Sequence, residues 1–511
     1  MKKLSDEFSL KSVSITKKYQ EQTKHTITKL NATPFYLDWM NQPNPFRKYA
    51  DAPIVNLPLP KINFENSWPS ISQDSIPFDL ESLSTILYHS VAISAWKQDL
   101  NYGSKWSLRV NPSSGNLHAE EIYIIARGIL GLADGIYHFN VKGFYLEKRI
   151  IGSDNLWLAT HYLSQTDAPL KILITTIVWR EAWKYRKRAF RYCLLDAGHV
   201  EAALRTAGAQ VGWISNACRT FDDESMTSLF GLSNSDEVPL SFIEFGNKVR
   251  KIQQYKLRLI RALGSPNKLS ETVIHYPEID EVIRATKLAT KKEPLIKDLF
   301  IPPQKPASFL SKKWTDLVRN RRSGIQYDGS SSCKVEDIEW MIALSLKQSG
   351  YWTKNRIEKE WVDLFVYAHH IEGLMPGIYR YESNSRFKLY KKGDVRNLAR
   401  KLSLNQSIAS NSAFTISMVV NYNEVLEFFG EKGFRLVYQS AGRVGHALYL
   451  AAESVGLNAT GIGAFFDSDV LQTLSLDDNW IVVYHFTIGK AIPDLRVRQL
   501  PGYDFEREII K

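Results

Sequence analysis

Residues 190–212 read FRYCLLDAGHVEAALRTAGAQVG, and residues 434–456 read FRLVYQSAGRVGHALYLAAESVG. The two segments align without a gap at a separation of 244 residues. In both segments apolar residues recur at the spacing of a helix, and the last residue is a glycine suited to a helix C-terminus. A long helix repeated at a fixed distance indicates that the chain is a tandem duplication.

Shorter segments repeat at nearly the same separation. The matched pairs are Phe221–Asp223 with Phe465–Asp467, Gly131–Tyr137 with Gly373–Tyr379, Ile172–Val178 with Phe414–Val420, and Leu240–Ile243 with Ile481–Tyr484. The last two pairs are rich in β-branched and aromatic residues, which is typical of buried strands. The alternation of strands with long helices predicts an α+β fold. We expect two α/β/α halves, each an antiparallel-rich sheet covered by helices, packed as a pseudo-dimer within one chain.

Proline and glycine interrupt the chain between the two halves. Gly264-Ser265-Pro266 and Ile301-Pro302-Pro303-Gln304-Lys305-Pro306 can form neither a continuous helix nor a central strand. We therefore predict an N-terminal arm over residues 1–78, a first half over 79–262, a linker over 263–310 and a second half over 311–511.

The composition of the 511 residues is that of a globular protein, with 44% hydrophobic and 23% charged residues. The net charge of +11 is spread along the chain, which suits anionic ligands and predicts no nucleic-acid partner. No apolar run approaches the ~18 residues of a membrane span, and no secretion signal is recognisable, so no membrane association is expected. Cys193, Cys218 and Cys333 are isolated, which argues against a disulfide framework and predicts the reducing cytoplasm.

Two polar motifs each occur in only one half. In the first half, Asn111-Pro112-Ser113-Ser114-Gly115-Asn116 offers hydroxyl, amide and glycine backbone groups to a flat polar heterocycle. The alternative interpretation is an ordinary turn. In the second half, Arg319-Asn320-Arg321-Arg322-Ser323 offers guanidinium and hydroxyl groups to a phosphate. The alternative there is a solvated basic face.

Together with Tyr19–His25, Leu37–Arg47 and Tyr192–His199, these motifs resemble the nitroreductase superfamily, and in particular its SagB-type dehydrogenase branch, which includes the thiazole/oxazole oxidases. The resemblance covers nearly the whole chain. It implies nitroreductase-like halves and an FMN cofactor that lies between two subunits, here between the two halves. In that superfamily an Arg-x-Ser type motif of one subunit binds the phosphate, and a Pro-Ser-Ser-x-Asn type loop of the other meets the isoalloxazine ring.

The resemblance also implies a role for individual residues of this chain. The phosphate ligands would be Arg321, Arg322 and Ser323, together with the late basic residues Arg496 and Arg498. The flavin ring would meet Pro112, Ser113, Ser114 and Asn116. Backbone amides at Gly463 and Ala464 would face the flavin N5 edge.

The reciprocal site has lost both motifs. Asn66-Ser67-Trp68 lies opposite the arginine motif, and Lys354–Glu358 lies opposite the serine-rich loop. The first segment has neither arginine, and the second lacks the serines and the glycine. We therefore expect one FMN per chain, bound by both halves, and a monomer whose second site is structural.

A Lys-Tyr pair, Lys184 and Tyr185, precedes the first repeated helix. The azoline-oxidising branch carries such a pair, which implies that Lys184 and Tyr185 act in proton removal. The second half has Phe428 and Phe429 at the matching positions, which agrees with a single active site. The alternative is a lysine and a tyrosine that only pack. His369 and His370 lack further ligands at a recognisable spacing, so no metal site is predicted.

These features predict an FMN-dependent oxidoreductase that works by ping-pong hydride transfer. One reaction is dehydrogenation of a carbon–heteroatom bond in a small-molecule or modified-peptide substrate, with Lys184 or Tyr185 as the base. The other is the reduction of nitroaromatics or quinones by NAD(P)H. An alternative of another class is a non-catalytic flavin-binding scaffold subunit.

Overall fold

The structure of the protein is a computed structural model. It describes residues 14–32, 36–61, 64, 68–70, 75–154, 156–157, 168–218, 221–232, 237–246, 262–287, 304–346, 361–382 and 386–506. No helix in these ranges is both long enough and apolar enough to cross a membrane.

The first half of the chain contains one large sheet with helices packed on it. Its helices are α1 (Ile15–Gln22), α2 (Ile27–Ala32), α3 (Leu80–Tyr88), α4 (Val178–Tyr185), α5 (Ala189–Gln210) and α6 (Asp223–Phe230). Its strands are β1 (Tyr49–Ala50), β2 (Ile54–Asn56), β3 (Ile93–Asp99), β4 (Lys105–Arg109), β5 (Glu120–Ala126), β6 (Gly135–Asn140), β7 (Tyr145–Ile151), β8 (Leu170–Thr176), β9 (Ser215–Cys218) and β10 (Val238–Phe245). The sheet order is β2-β7-β6-β5-β8-β10-β9, and all neighbouring strands are antiparallel.

The second half repeats this arrangement. Its helices, counted from the predicted linker, are α7 (Pro277–Ala285), α8 (Trp314–Asn320), α9 (Val335–Leu346), α10 (Arg396–Leu402), α11 (Ser407–Ser410), α12 (Tyr422–Phe429), α13 (Gly433–Ser454) and α14 (Asp467–Thr473). Its strands are β11 (Ser265–Pro266), β12 (Cys333–Lys334), β13 (Asp363–Ala368), β14 (Ile371–Glu372), β15 (Gly377–Glu382), β16 (Arg386–Lys392), β17 (Phe414–Asn421), β18 (Asn458–Ile462), β19 (Trp480–Gly489) and β20 (Val497–Leu500). The large sheet has the order β16-β15-β13-β17-β19-β18, again antiparallel throughout.

Both large sheets are covered on their two faces. Successive side chains of a strand point to opposite faces, and along β5 Ile122 and Ile124 enter one apolar cluster whereas Tyr123 and Ile125 enter another. Strand β13 divides its side chains between two clusters in the same way. The predicted fold class, an α+β chain of two α/β/α halves, is confirmed.

The repeated helices begin and end at the predicted separation. Helix α4 and α12, and likewise α5 and α13, have bounds that differ by 244 residues at both ends. Gly212 and Gly456 follow α5 and α13 with the same positive φ of 78°, in agreement with the predicted glycine C-terminus.

Helices α5 and α13 cross at two glycines, and this crossing joins the halves. A Cβ on Gly198 would overlap the carbonyl oxygen of Gln439, and a Cβ on Gly442 would overlap that of Leu195. Each glycine thus meets the residue three positions before the other glycine. The contact is therefore two-fold symmetric, as in an isologous interface.

A small sheet brings the end of the chain back to the first half. Its order is β20-β3-β4, so β20 from the C-terminal region pairs with β3 near residue 95. In the register, Lys97 stands opposite Gln499 on one side and Trp106 on the other. These three side chains share one face of the sheet, and Arg498 lies on the other face.

The described parts of the predicted arm and linker pack on both halves. In α1, Thr16 donates to Glu431 of the second half, and Tyr19 Oη donates to the Lys187 carbonyl of the first. In the predicted linker, β11 pairs with β1, and α7 buries Ile279 and Val282. The four domain boundaries stay predictions.

Candidate functional site

A cavity of about 350 Å³ lies where the two halves meet the small sheet. Of the predicted site residues, its wall contains Pro112, Ser113, Ser114, Asn116, Tyr185, Arg321, Arg322, Ser323 and Gly463. The structure therefore brings together the two motifs, although they are about 200 residues apart in the sequence. The volume falls in the range of small-molecule and cofactor sites, about 300–1,000 Å³.

The loop of residues 112–116 turns sharply before β5. Gly115 and Asn116 both have a φ of 58°, a left-handed conformation that glycine and asparagine adopt most readily. The Asn116 amide nitrogen donates to the Ser107 carbonyl at 2.9 Å, and the Ser113 hydroxyl accepts from the His118 backbone at 2.9 Å. The turn is thus held at both ends by its own side chains.

The same loop is bound to helix α5 by a carboxylate that the sequence analysis did not single out. Asp196 accepts from the Ser114 backbone N–H at 2.7 Å and from the Ser114 hydroxyl at 2.8 Å. Burial raises the pKa of Asp196, and these hydrogen bonds oppose the rise. The one feature of the sequence that could have pointed to Asp196 is a difference between the repeats, since the matching residue of α13 is Ser440.

The Lys-Tyr pair lies against Gly115. A Cβ on this glycine would lie 2.8 Å from Tyr185 Oη and 3.0 Å from Lys184 Nζ, the movable ends of two side chains, so the positive φ is the stronger reason for a glycine here. Tyr185 stacks on Tyr192 with ring centroids 3.9 Å apart. Burial lowers the pKa of Lys184, and it raises the pKa of Tyr185 well above its ordinary value. Lys184 itself lies beside the cavity wall rather than in it.

Four cationic side chains line the cavity. Arg109 is bonded to the carbonyls of Glu120 and Pro45; we call the other three, Lys97, Arg321 and Arg322, the cationic cluster. Arg321 is buried, its Nε donates to the Val110 carbonyl at 3.2 Å, and its Nη1 has no partner. Burial and the neighbouring Arg321 and Arg319 lower the pKa of Arg322 to about 10. Among the described residues, no hydrogen bond or ion pair holds the Lys97 ammonium, although Asp494 attracts it at longer range. The nearby carboxyl groups of Glu453 and Asp494 are fewer than the three cations of the cluster.

Two tyrosines continue the wall beside the cluster. Ser323 Oγ lies 3.0 Å from Tyr449 Oη, which also accepts from the Gly461 N–H at 3.0 Å. Tyr192 packs so closely on Gly463 that a Cβ there would overlap its ring. The small residues of this stretch are thus needed for packing.

Three further predicted ligands lie outside the cavity wall. Arg496 is exposed and paired with Asp494 at 2.9 Å, and Arg498 donates to Gln98 at 2.7 Å. Ala464 follows the wall residue Gly463, and its carbonyl oxygen accepts from Gln406. Their roles in cofactor binding stay predictions. Lys97, by contrast, was missed, because only the pairing of β3 with β20 and β4 places it on the cavity side.

The reciprocal position is occupied by charged side chains of the halves themselves. Glu201 is bonded to Arg205 at 3.0 Å and to Arg443 at 3.5 Å, and it accepts from Ser241 at 2.8 Å. In the repeat, Arg443 corresponds to the cavity residue His199, and Arg205 corresponds to the cavity residue Tyr449, since each pair is 244 residues apart. Of the two segments expected there, Lys354–Glu358 and residues 66–67 lie outside the described part of the chain.

The histidine pair, Cys193 and Cys333 lie outside the cavity wall. His369 Nδ1 donates to the Ser412 carbonyl at 3.0 Å, and burial lowers the pKa of His369 to about 4. No group of three metal-binding side chains occurs within the described ranges. Cys193 and Cys333 are buried free thiols.

Comparison with known proteins agrees with this architecture. Residues 282–490 match the model of the nitroreductase family. A stretch of 119 residues is 26% identical to a candidate nitroreductase of Methanocaldococcus jannaschii, covering 23% of this chain and 60% of that relative. The chain therefore spans less than two thirds of the length of that curated relative.

A solved structure covers far more of the chain. The crystal structure of a candidate nitroreductase from Anabaena variabilis superposes with a TM-score of 0.74 at 21% identity, over 94% of this chain and 100% of that one. Residues 282–490 are thus similar to the nitroreductase family, and the chain has a nitroreductase fold over nearly its whole length.

Proposed function

We propose that this chain is an FMN-dependent oxidoreductase of the SagB-type dehydrogenase branch, with one composite site between two duplicated halves. The observation that carries the proposal is that one cavity contains the cationic cluster, mostly from the second half, and the Pro112–Asn116 loop from the first. The two-fold contact of Gly198 and Gly442 supports the duplication.

The residues present fit the phosphate of FMN. Arg321 is buried with an unpartnered Nη1, and such a buried donor is costly unless a ligand accepts from it. Lys97 and Arg322 add two charges at the same place, and Ser323 adds a hydroxyl. Guanidinium groups bind phosphate oxygens with paired, charge-assisted hydrogen bonds.

The Pro112–Asn116 loop and the Gly463 turn fit a flat ring. Both present small residues and backbone groups to the cavity, and Tyr185 and Tyr192 add aromatic surface. Bound FMN would supply two-electron redox chemistry by accepting or donating a hydride. The chain would then exclude water, orient the substrate and move the proton.

Lys184 is the proposed proton acceptor. Its lowered pKa makes the neutral amine, the form that can take a proton, easier to reach. Tyr185 keeps its own proton because burial raises its pKa, so its hydroxyl can donate to the substrate. These roles suit dehydrogenation of a carbon–heteroatom bond in a small-molecule or modified-peptide substrate.

A second candidate reaction uses the same cavity. The match to the nitroreductase family favours reduction of a nitroaromatic or quinone by NAD(P)H. In that case the Lys-Tyr pair would only position the acceptor. Anaerobic mixing with NADH or NADPH separates the two, because only the second reaction bleaches the flavin absorbance with these donors.

We further propose one FMN per chain and a monomer. The ion pairs of Glu201 fill the reciprocal position, and Phe428 and Phe429 replace the Lys-Tyr pair there. The free thiols Cys193 and Cys333 support a reducing cytoplasm.

The test is equilibrium binding of FMN with a count of flavin per chain. We expect close to one FMN. Replacing Arg321 or Lys97 by Met should weaken binding about 10- to 100-fold, the effect of losing a hydrogen bond to a charged group. Arg380→Met, which removes an exposed arginine of β15, is the matched control. Arg496→Gln and Arg498→Gln test the two late arginines in the same assay.

Two FMN per chain would contradict the single composite site. Wild-type protein that binds no FMN would contradict the proposed oxidoreductase and favour a scaffold role without flavin.

A further inference from the structure

A buried carboxylate connects the Pro112–Asn116 loop to the interface between the halves. Asp196 is 1% exposed, and both of its oxygens accept from Ser114, one from the backbone and one from the hydroxyl. Its helix crosses the other half at Gly198, two residues further on. The loop is therefore held to a helix that forms the crossing between the two halves.

The surroundings of Asp196 make its carboxylate unfavourable for stability. Glu120 and Glu181 are also buried, and no oxygen of either side chain has a partner in the described structure. Burial raises the pKa of all three carboxyls, Asp196 further raises the pKa of both glutamates, and Glu120 raises that of Glu181. A buried charge next to other acids is costly. Stability alone does not explain an aspartate here.

The other half shows what this position becomes when no loop has to be held. Ser440 is the residue 244 positions after Asp196, in a helix with matching bounds. Val425 likewise replaces Glu181. The acidic side chains thus occur only in the half that carries the loop.

We propose that Asp196 is a positioning residue that holds the Pro112–Asn116 loop, through Ser114, in the conformation that receives the flavin ring. This inference rests on the proposed function. Asp196 itself lines the cavity, but both of its oxygens are bonded to Ser114, so its proposed part is to hold the loop. It fixes Ser114, so that Ser113, Gly115 and Asn116 keep their places in the cavity wall.

The experiment compares two quantities for each variant: the FMN dissociation constant, and the melting temperature of the FMN-free protein. Asp196→Asn keeps the shape but loses one acceptor and the charge. We expect it to weaken FMN binding about 10-fold while the melting temperature stays equal or rises, because a costly buried charge is gone. The flavin fluorescence of the bound variant should also change, since the loop contacts the ring.

Ser114→Ala tests the same link from the loop side without touching a buried charge. It should weaken FMN binding by about half an order of magnitude, because the backbone hydrogen bond to Asp196 remains. Combined with Asp196→Asn, its effect should be less than additive, as expected for two residues that act through one contact. Ser440→Ala, at the matching position of the other half, is the control and should leave FMN binding unchanged.

The outcomes separate the possibilities. A lower melting temperature with unchanged FMN affinity would make Asp196 a structural residue and overturn the inference. Fully additive effects of Asp196→Asn and Ser114→Ala would also overturn it. Wild-type protein that rejects FMN would overturn the proposed function itself, which is a different result from a variant that binds FMN like the wild type.

Discussion

At the scale of single residues, the environment of Lys184 decides whether it can act as a base. Burial lowers its pKa below the ordinary 10.5, while the neighbouring Glu181 opposes the shift. We predict that the Lys184 amine titrates with a midpoint below 10.5, so that its neutral fraction rises with pH earlier than that of a free lysine. Competitive labelling with acetic anhydride across a pH series, read by peptide mass spectrometry, measures this midpoint.

Glu181→Gln provides the comparison for this titration. Removing the carboxylate should lower the midpoint further, because the ammonium loses an attractive charge. A midpoint at or above 10.5 in the wild type would contradict the proposed role of Lys184 as proton acceptor.

At the scale of secondary-structure elements, α14 begins with a carboxylate that joins three parts of the chain. Asp467 accepts from Arg188 at 2.9 Å, from Arg191 at 2.7 Å and from the His25 backbone at 3.2 Å. We predict that Asp467→Asn destabilises the protein by about 3–5 kcal/mol, because it leaves buried guanidinium groups without their counter-charge. Urea unfolding monitored by tryptophan fluorescence measures the change.

The pH dependence of the same contact has a definite sign. The arginines hold the pKa of Asp467 below its ordinary value of 3.8. The stabilisation is therefore present above pH 3.8 and is lost as the pH falls through the lower folded value. Asp394→Asn, which removes an exposed pair with Arg396, should cost at most about 1 kcal/mol. If Asp394→Asn lowered the free energy of unfolding as much as Asp467→Asn, the importance of the Asp467 contact would be contradicted.

At the scale of the whole molecule, the packing of the two halves depends on the crossing of α5 and α13. Alanine normally stabilises a helix relative to glycine by about 1 kcal/mol. At Gly198 and Gly442 we predict that alanine instead lowers the free energy of unfolding by about 1–3 kcal/mol, because a Cβ on either residue would overlap a carbonyl of the facing helix. Urea unfolding of Gly198→Ala and Gly442→Ala measures both changes.

The two glycine variants should lose similar amounts of unfolding free energy, because their contacts are related by two-fold symmetry. A variant as stable as the wild type, or more stable, would show that helix propensity outweighs the close crossing.

Much of the fold follows from patterns that repeat along the chain. The apolar spacing of residues 190–212 and 434–456 depends only on helix geometry, so the sequence predicts both helices and their shared terminal glycine. The left-handed turn at Gly115 is similarly local, since glycine favours it by itself. Pro112–Asn116 and Arg321–Ser323, each open to an ordinary interpretation alone, were site candidates because together they resemble the motifs of a known family.

The sequence alone determined the α+β class, the two related halves and most of the cavity-lining motifs, because these depend on periodicity and on residues close together in the chain. Only the tertiary structure decided that Lys97 faces the cavity and Arg498 the opposite side, because a strand register changes face with every residue. It likewise decided that Asp196 meets Ser114, 82 positions away. A contact between distant segments depends on how whole elements pack, and no local pattern encodes that packing.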